Sequence, residues 1–275
     1  MSESARAADA FTRLVEIVAR LRAPDGCPWD REQTIDTLTP FVLEETYEVL
    51  EAIDHHDHAS LREELGDYVF EAVLLAQIES EAGHFSIADS LTDIADKLVR
   101  RHPHVFARTD GDAAIDSAGK VRVRWEELKA QERAAAGKTG KPKTLLSGIA
   151  PALPGLLRAY HIGVRAASVG FEWDRASQVV DKIEEEVAEL REVVDAPGPM
   201  DQARAEEEMG DLLFSMAHLS RKLGIEPETA LRKANDKFTK RFTALEQEVT
   251  SSGKTVKDLD IGQLEEIWQR VKRDA

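Results

Sequence analysis

Acidic residues recur at a helical spacing in two separate stretches of this sequence. Glu45 and Glu48 lie three residues apart, and so do Glu64 and Asp67. Residues three apart share a helix face, and helices joined by a short turn are normally antiparallel, so these four carboxylates can meet at one point. The second stretch repeats the spacing with Glu186, Glu189, Glu208 and Asp211. Because clustered carboxylates need a neutralising cation, the spacing predicts a site for Mg²⁺, or alternatively Mn²⁺, in each stretch.

Two other interpretations of these acids are weaker. Solvated surface acids would suit a single Glu-x-x-Glu, but Asp67 and Asp211 each precede three apolar or aromatic residues. That context places them near a core, where an unpaired carboxylate is costly. A di-iron bundle needs Glu-x-x-His motifs on two helices, and the sequence has one, from Glu81 to His84, without a counterpart in the second stretch.

The acids belong to a longer repeat. Gly26 returns as Gly170 and Trp29 as Trp173, both 144 residues later, and Lys97 returns after 140 residues. Landmarks that keep one order at nearly one spacing indicate a duplicated domain rather than a short solenoid repeat. The two tryptophans follow glycine turns, so we interpret them as packing anchors, with a pocket wall as the alternative.

The repeat predicts two tandem all-α helical-bundle domains, 1–137 and 138–275, joined through the small, polar stretch 134–143. Apolar residues recur at three and four positions throughout, which is typical of helices. The predicted helices of the first domain are about 11–21, 40–53, 60–80, 87–101 and 121–133. Those of the second are about 156–168, 176–194, 202–223, 227–249 and 263–273.

The charge balance is acidic, with 52 Asp and Glu against 36 Lys and Arg and a net charge of −16. Such a surface repels a nucleic-acid backbone, so we expect no direct nucleic-acid binding. No apolar run approaches the roughly 20 residues of a membrane span, and the N-terminal sequence lacks the pattern of a secretory signal. Because Cys27 is the only cysteine, no internal disulfide can form, and we expect a cytoplasmic location.

Basic and aromatic residues recur near the acids. Lys237 and Arg241 are four residues apart on one helix face, as are Trp268 and Lys272. The first-half counterparts are Lys97, Arg101, Trp125 and Lys129. Cations beside a metal cluster suit a polyphosphate, and an indole ring suits a nucleobase. The alternative is that the cations pair with surface acids and that the tryptophans belong to the core.

These segments resemble the MazG family in its full-length, two-domain form, within the all-α nucleoside triphosphate pyrophosphohydrolase superfamily. The EExxE and ExxD signature of the family resembles LEETYEV followed by EELGD, and EEEVAEL followed by EEMGD. The segments GCPWDREQT, RRHPHVF, GFEWD and KANDKF also match in order, so the resemblance covers nearly the whole chain.

The resemblance implies helical bundles that form a homodimer and hold Mg²⁺ at the acidic motifs. It implies hydrolysis of nucleoside triphosphates to monophosphate and diphosphate with broad base specificity, in nucleotide-pool house-cleaning. The metal ligands that it implies in the second half are Glu186, Glu189, Glu208 and Asp211. The positions that it implies for substrate binding are Arg204, Asn235, Lys237, Arg241, Trp268 and Lys272.

The first half departs from this pattern outside its acids. Ser60 stands where the second half has Arg204, and Ala95 stands where it has Asn235. The nucleotide pocket of the first half therefore looks incomplete, although its metal acids are retained. We expect the second half to be the main catalytic domain.

The sequence suggests catalytic roles in that half. Glu185, beside the implied ligand Glu186, is our candidate to orient or deprotonate the attacking water. Lys237 and Arg241 would steady the charge on the departing diphosphate. Two alternatives stay open: a helical interaction or regulatory protein that binds a basic partner without catalysis, and a pyrophosphatase specific for dUTP or dCTP.

Overall fold

The computed structural model describes residues 1–106 and 144–274, and within these ranges it contains helices, turns and loops but no β-strand. The all-α prediction is confirmed. Contacts divide the chain into two compact units, Met1–Ala135 and Ala136–Ala275. The predicted helix 121–133, with Trp125 and Lys129, lies outside the described residues. The predicted linker and the boundary at 137 lie there too and stay predictions.

Within the described residues, the first unit has a helix at each predicted place. Its helices are α1 (Glu3–Arg22), α2 (Pro28–Glu32), α3 (Ile35–Asp54), α4 (His58–Glu81), α5 (Ile87–Arg101) and α6 (Pro103–Phe106). The first helix begins at Glu3 rather than near Phe11, because Ser2 caps it by accepting the Ala5 N–H. Helix α3 begins at Ile35 rather than near the predicted Pro40. Thr34 and Thr37 form a reciprocal capping box there, with N–H to Oγ1 distances of 3.2 and 2.8 Å, and it starts the helix before the proline.

The second unit repeats this helical plan. Its elements are α7 (Gly155–Ala167), α8 (Ala176–Val194), α9 (Gln202–Lys222), α10 (Pro227–Ser251), a 3₁₀ turn (Val256–Asp258) and α11 (Ile261–Asp274). The short helices α2 and α6 and the 3₁₀ turn are too brief to show a periodic pattern, so the sequence did not predict them. No described helix is long and apolar enough to cross a membrane.

In each unit two long helices that carry the acids pack against each other, α3 with α4 and α8 with α9. The second helix of each pair has an aspartate as its N-cap, directly before its first residue, and the two aspartates are 144 residues apart. Asp57 accepts the backbone N–H groups of Ala59 and Ser60 at 2.9 and 3.1 Å. Asp201 accepts that of Arg204 at 3.2 Å. Such N-caps are each worth about 0.5–2 kcal/mol, so both acid-bearing helices start at a fixed residue.

Each unit contains a small apolar core, and that of the first unit includes residues of its acid-bearing hairpin. In the first unit Val18, Leu38, Val73 and Leu74 are buried together, which fixes α1 and α3 on α4. In the second unit, the residues buried together are Leu245, Val249 and Val271, where α10 meets α11. The core of the first unit therefore anchors both helices that carry its acids.

Candidate metal centres

The helical hairpin of the first unit gathers three of its four predicted carboxylates. One carboxylate oxygen each from Glu45, Glu48 and Glu64 lies within 4.8 Å of the other two. The fourth predicted ligand, Asp67, lies outside this group of three, but its charge acts on both Glu45 and Glu64. The structure therefore brings α3 and α4 together at the predicted acids, with Asp67 at the edge of the group.

The first-half cluster is electrostatically unfavourable as a set of bare carboxylates. Burial raises the pKa of Glu45, and the charges of Glu48 and Asp67 raise it further. Burial and the charge of Glu48 likewise raise the pKa of Glu64. In addition, Glu45 Oε2 is buried and has no hydrogen-bond partner. A bound cation would relieve both the repulsion and the missing contact.

A fifth acid, which the sequence reasoning missed, lies in the same hairpin. Glu71 is 6% exposed, and its Oε2 atom has no hydrogen-bond partner. Burial raises the pKa of its carboxyl group, and the charges of Glu45 and Asp67 raise it further. The available signal was its position one turn after Asp67, on the same face of α4.

The second hairpin gathers a corresponding group. Carboxylate oxygens of Glu186, Glu208 and Asp211 lie within 4.8 Å of one another, and Glu186 is buried. Glu189 lies outside this group, yet it is close enough that Glu208 and Glu186 act on its charge. Burial raises the pKa of Glu189 first, and these two carboxylates raise it further.

Two cations contact the acids of the second hairpin. Lys182 Nζ lies 2.8 Å from carboxylate oxygens of both Glu185 and Glu186, and these contacts raise the pKa of Lys182 above its usual range. Arg204 Nε lies 3.5 Å from Glu208 Oε1. Sequence reasoning had included Arg204 but missed Lys182, although the lysine lies four residues before Glu186 on one helix face. Glu185, the candidate base, does not belong to the group of possible ligands, and its carboxylate forms an ion pair with Lys182.

The first hairpin lacks both cations. Phe41, four residues before Glu45, takes the place of Lys182, and Ser60 takes the place of Arg204. Among the described residues, no lysine or arginine forms an ion pair with the first-half acids. The two clusters thus share a scaffold and differ in net charge.

The predicted substrate-binding residues lie mainly on α10 and α11. Lys237, Asn235 and Lys272 are exposed, whereas the Nε atom of Arg241 is buried without a hydrogen-bond partner. Trp268 packs on the apolar core of the second unit, and its ring centroid lies 5.2 Å from that of Phe238. Within the described residues, no hydrogen bond or ion pair joins these residues of α10 and α11 to the acids, so their role in binding stays a prediction.

An ion network next to Trp173 also escaped sequence reasoning. Glu172 accepts a hydrogen bond from Arg221 and lies 3.3 Å from both His218 Nε2 and Lys222 Nζ. Burial alone would raise the pKa of Glu172, but its contacts with Arg221 and His218 outweigh burial and lower it. The imidazole in turn supports Trp173 edge-on, at a centroid distance of 4.8 Å. These partners lie too far apart in the chain for helical periodicity to reveal them.

Trp173 also forms part of the wall of an apolar cavity of about 360 Å³. Other parts of the wall come from Phe171, Phe214 and the buried Ser215. Trp173 thus contributes to a pocket wall in the second unit. In the first unit Trp29 is half exposed and meets Phe41 edge-on at 5.8 Å, which is a packing contact.

Both acid groups have the donor chemistry that Mg²⁺ requires. Their ligand atoms are hard carboxylate oxygens, which suit Mg²⁺ and Mn²⁺ and not the softer metals that thiolates select. The unpaired, buried Glu45 Oε2 atom supports this fit in the first half. In the second half the buried carboxylate of Glu186 supports it.

The fold and the acid groups define a tandem all-α protein with one carboxylate site in each helical hairpin. The family described as "MazG nucleotide pyrophosphohydrolase domain" matches this chain twice, at residues 33–106 and 175–244. Each match spans one of the two acid-bearing hairpins. The chain belongs to the MazG family of nucleotide pyrophosphohydrolases, which confirms the predicted resemblance and the tandem arrangement.

Three relatives resemble the chain over nearly its whole length. It is 46% identical over 266 residues to the "Nucleoside triphosphate pyrophosphohydrolase" of Escherichia coli K12, covering 95% of this chain and 96% of that protein. It is 43% identical over 263 residues to the "Nucleoside triphosphate pyrophosphohydrolase/pyrophosphatase MazG" of Thermotoga maritima, covering 95% of each. It is also 37% identical over 262 residues to YabN of Bacillus subtilis, where the match spans 51% of that longer protein.

Proposed function

We propose that this chain is an enzyme that hydrolyses nucleoside triphosphates to nucleoside monophosphates and diphosphate, with Mg²⁺ or Mn²⁺ as the cofactor. The observation that carries the proposal is the acid group at each helical hairpin, in a chain that belongs to a pyrophosphohydrolase family. The two similar proteins from Escherichia coli and Thermotoga maritima bear names of this activity.

The acids would hold the metal, and the second half would carry most of the catalysis. In that half Glu186, Glu208 and Asp211 lie close enough to share an ion, with Glu189 beside them. When bound, Mg²⁺ would polarise the α-phosphorus and lower the pKa of a bound water. In the first half the corresponding ligands are Glu45, Glu48, Glu64 and Asp67.

Other side chains of the second half would orient the reactants. Glu185 is exposed and held by Lys182, so its carboxylate is available to orient or deprotonate a water beside Glu186. The Arg204 guanidinium lies 3.5 Å from Glu208, a member of the acid group, and would contact a phosphate oxygen bound there. Lys237 and Arg241 would neutralise the charge that develops on the departing diphosphate.

The base and sugar of the nucleotide would contact the remaining predicted residues. Trp268 offers an indole face, although much of its surface packs on the core, and Asn235 and Lys272 offer exposed polar groups. One aromatic contact with few directional partners favours broad base specificity, because every base has a π-face. Such an enzyme would serve nucleotide-pool house-cleaning in the cytoplasm.

A homodimer is the proposed assembly. The acid-bearing helices leave apolar side chains uncovered at repeated positions: Leu65 and Val69 on α4, and Met209 and Leu213 on α9, are all more than a third exposed. Exposed apolar faces of this kind mark association surfaces, and two-fold symmetry is the commonest solution. Sedimentation equilibrium tests this: we expect a dimer, which Leu213→Arg should weaken, whereas a monomer at micromolar concentration would contradict it.

Product analysis tests the reaction. We expect the purified chain with ATP and Mg²⁺ to release AMP and diphosphate, and EDTA to stop the release. ADP and phosphate would contradict the proposed cleavage position. We also expect the values of kcat/KM for the eight common nucleoside triphosphates to lie within about tenfold of one another, since one apolar contact discriminates weakly. A single base preferred by a much larger factor would favour the base-specific alternative.

Metal titration separates the enzyme from the helical interaction protein. Ligand that binds only the folded state stabilises it, by about 2.7 kcal/mol at a hundred times the dissociation constant. We therefore expect Mg²⁺ to raise the melting temperature at constant ionic strength. A chain that uses its acids only to bind a basic partner would show no such specific shift.

A further inference from the structure

The first-half cluster contains a buried acid that the second half lacks. Glu71 is 94% shielded from solvent, and its Oε2 atom has no partner in the protein. Glu71 lies one helical turn after Asp67 on α4, so both point to the same side of the helix, and the charges of Glu45 and Asp67 act on it. Because Glu45 Oε2 is also buried and unpartnered, two carboxylate oxygens there lack any donor.

The equivalent position in the second half is neutral. Ser215, 144 residues after Glu71, is also buried, with 8% of its surface exposed, and it forms part of the apolar cavity wall. A buried serine hydroxyl needs no counterion. A buried glutamate without a partner costs free energy unless a cation or a proton neutralises it. The retained acid therefore points to a ligand specific to the first half.

The surrounding charges strengthen this contrast. In the second half Lys182 and Arg204 contact the acids and reduce the charge available to a metal. Within residues 1–106 no such ion pair reaches the first-half acids. The acids concerned are the group of three, Glu45, Glu48 and Glu64, and its two neighbours Asp67 and Glu71. More carboxylate ligands and fewer competing cations both favour tighter binding of a hard cation.

We propose that Glu71 is a fifth ligand of the first-half site, which holds a divalent cation tightly without nucleotide, as a structural ion. This inference rests on the proposed metal binding of the acid clusters. An ion surrounded by protein carboxylates has few open positions, whereas a catalytic Mg²⁺ keeps positions for water and substrate phosphates. The first half would then use its ion to hold α3 and α4 together, and the second half would use its ion on the nucleotide.

Binding of Mn²⁺ to the full-length chain without nucleotide tests the inference. The free ion gives an electron paramagnetic resonance signal that is lost on binding, so a titration counts sites and ranks their affinities. We expect a tight class and a weaker class. Glu71→Gln, which keeps the shape and removes the charge, should weaken the tight class about 10- to 100-fold, the usual effect of altering a metal's supporting groups.

Two controls identify the classes. Ser215→Ala alters the matching position of the second half and should leave the tight class unchanged. Glu186→Gln should affect only the weaker class. Glu71→Gln keeps the shape of the side chain and removes an unfavourable buried charge. We therefore expect the variant to fold, with a far-UV circular dichroism spectrum that matches that of the unaltered chain. Glu71→Ser, which copies the second half, provides an independent variant and should also lose the tight class.

The outcomes distinguish this inference from the proposed function. If Glu71→Gln and Glu71→Ser both bind Mn²⁺ like the unaltered chain, Glu71 is not a ligand and the inference is wrong, even where ATP is hydrolysed. If both variants lose the tight class but the unaltered chain releases no AMP from ATP, the structural site stands and the proposed activity fails. No Mn²⁺ binding with or without nucleotide would overturn both.

Discussion

The acid clusters of the two halves share a scaffold and differ in the cations around them. In the second half Lys182 contacts Glu186 and Arg204 contacts Glu208. In the first half the neutral residues Phe41 and Ser60 stand at the positions of these two cations. Two like charges about 5 Å apart repel by roughly 3 kcal/mol at an effective dielectric constant near 20. The bare first-half cluster therefore gains more from a metal ion than the second-half cluster does.

This difference suggests that the two domains have different functions. A triphosphate brings several negative charges, which a cluster of bare carboxylates repels. Cations beside the acids offset that repulsion, so the second half can accept metal and polyphosphate together. The first half, with Glu71 added and no cation among the described neighbours, is suited to the metal alone.

Loss of one metal acid should affect the two halves unequally, and this is the largest expected effect. We expect Asp211→Asn to lower kcat for ATP at least about 100-fold, or about 2.7 kcal/mol, because it removes a ligand of the catalytic half. Asp67→Asn, the matched change in the first half, should have an effect at least tenfold smaller. Steady-state kinetics with Mg²⁺ measures both, and equal losses would show that the halves share catalysis.

The ion pairs of Glu172 in the second half and Glu81 in the first should stabilise the fold to different extents. Glu172 is 21% exposed beside Arg221, whereas Glu81, paired with Arg22 in the first half, is 39% exposed. Hydrogen bonds to charged groups are worth about 1.5–3 kcal/mol when buried and less when solvent screens them. We therefore expect Glu172→Gln to lower the free energy of unfolding by about 2 kcal/mol and Glu81→Gln by less.

The pH dependence of that loss follows from the direction of the pKa shifts. Hydrogen bonds from Arg221 to Glu172 and from Arg22 to Glu81 hold the pKa of each carboxyl below its ordinary value in the folded chain. Such an acid stabilises the fold above its unfolded pKa, and the stabilisation is lost as pH falls through the folded value. The difference between Glu172→Gln and the unaltered chain should therefore be full at pH 7, begin to shrink near the unfolded pKa of about 4.3, and disappear only at still lower pH. A constant difference in denaturant titrations across that range would contradict the ion pair.

Removing a cation from the second cluster should make it behave more like the first. Arg204→Ser copies Ser60, and we expect it to raise KM for ATP about five- to tenfold with a smaller change in kcat, since the guanidinium binds phosphate rather than reacting. The reciprocal Ser60→Arg provides the control and should leave KM unaltered. An unchanged KM in Arg204→Ser would mean that Arg204 only pairs with Glu208.

The smallest expected effect concerns the aromatic contact. Trp268→Phe keeps the packing on Leu245 and Val249 but reduces the ring that a base can stack on. We expect KM to rise about two- to fivefold, which corresponds to 0.5–1 kcal/mol of lost stacking, with kcat nearly constant. If KM for ATP does not change while the melting temperature falls, Trp268 belongs to the core alone.

Local chemistry explains what the sequence could predict. The bounds of α5 and α8 match the prediction, because breakers or caps adjoin periodic apolar residues there. The predicted start of α3 near Pro40 was wrong, because the capping box at Thr34 begins the helix before the proline. Three acids of each predicted set meet because residues three apart share a helix face and each pair of helices forms a hairpin.

The features that escaped prediction depend on tertiary contacts. Glu71 was missed because the spacing alone, one turn after Asp67, does not reveal that this glutamate is buried without a partner. The ion pair of Glu172 with Arg221 joins residues 49 positions apart, which no periodic pattern links. Ser60 in place of Arg204 already distinguished the two halves in the sequence, but the second cation, Lys182, was recognised only from its contact with Glu186.

The number of nucleotides bound per chain tests the division between the halves most directly. Calorimetric titration with α,β-methylene-ATP and Mg²⁺, which blocks cleavage of the proposed bond, should give one nucleotide per chain. Glu186→Gln should abolish that binding, and the matched Glu45→Gln should retain it. Two equivalent nucleotides per chain, or loss of binding in Glu45→Gln instead, would contradict the view that the second half alone accepts the triphosphate.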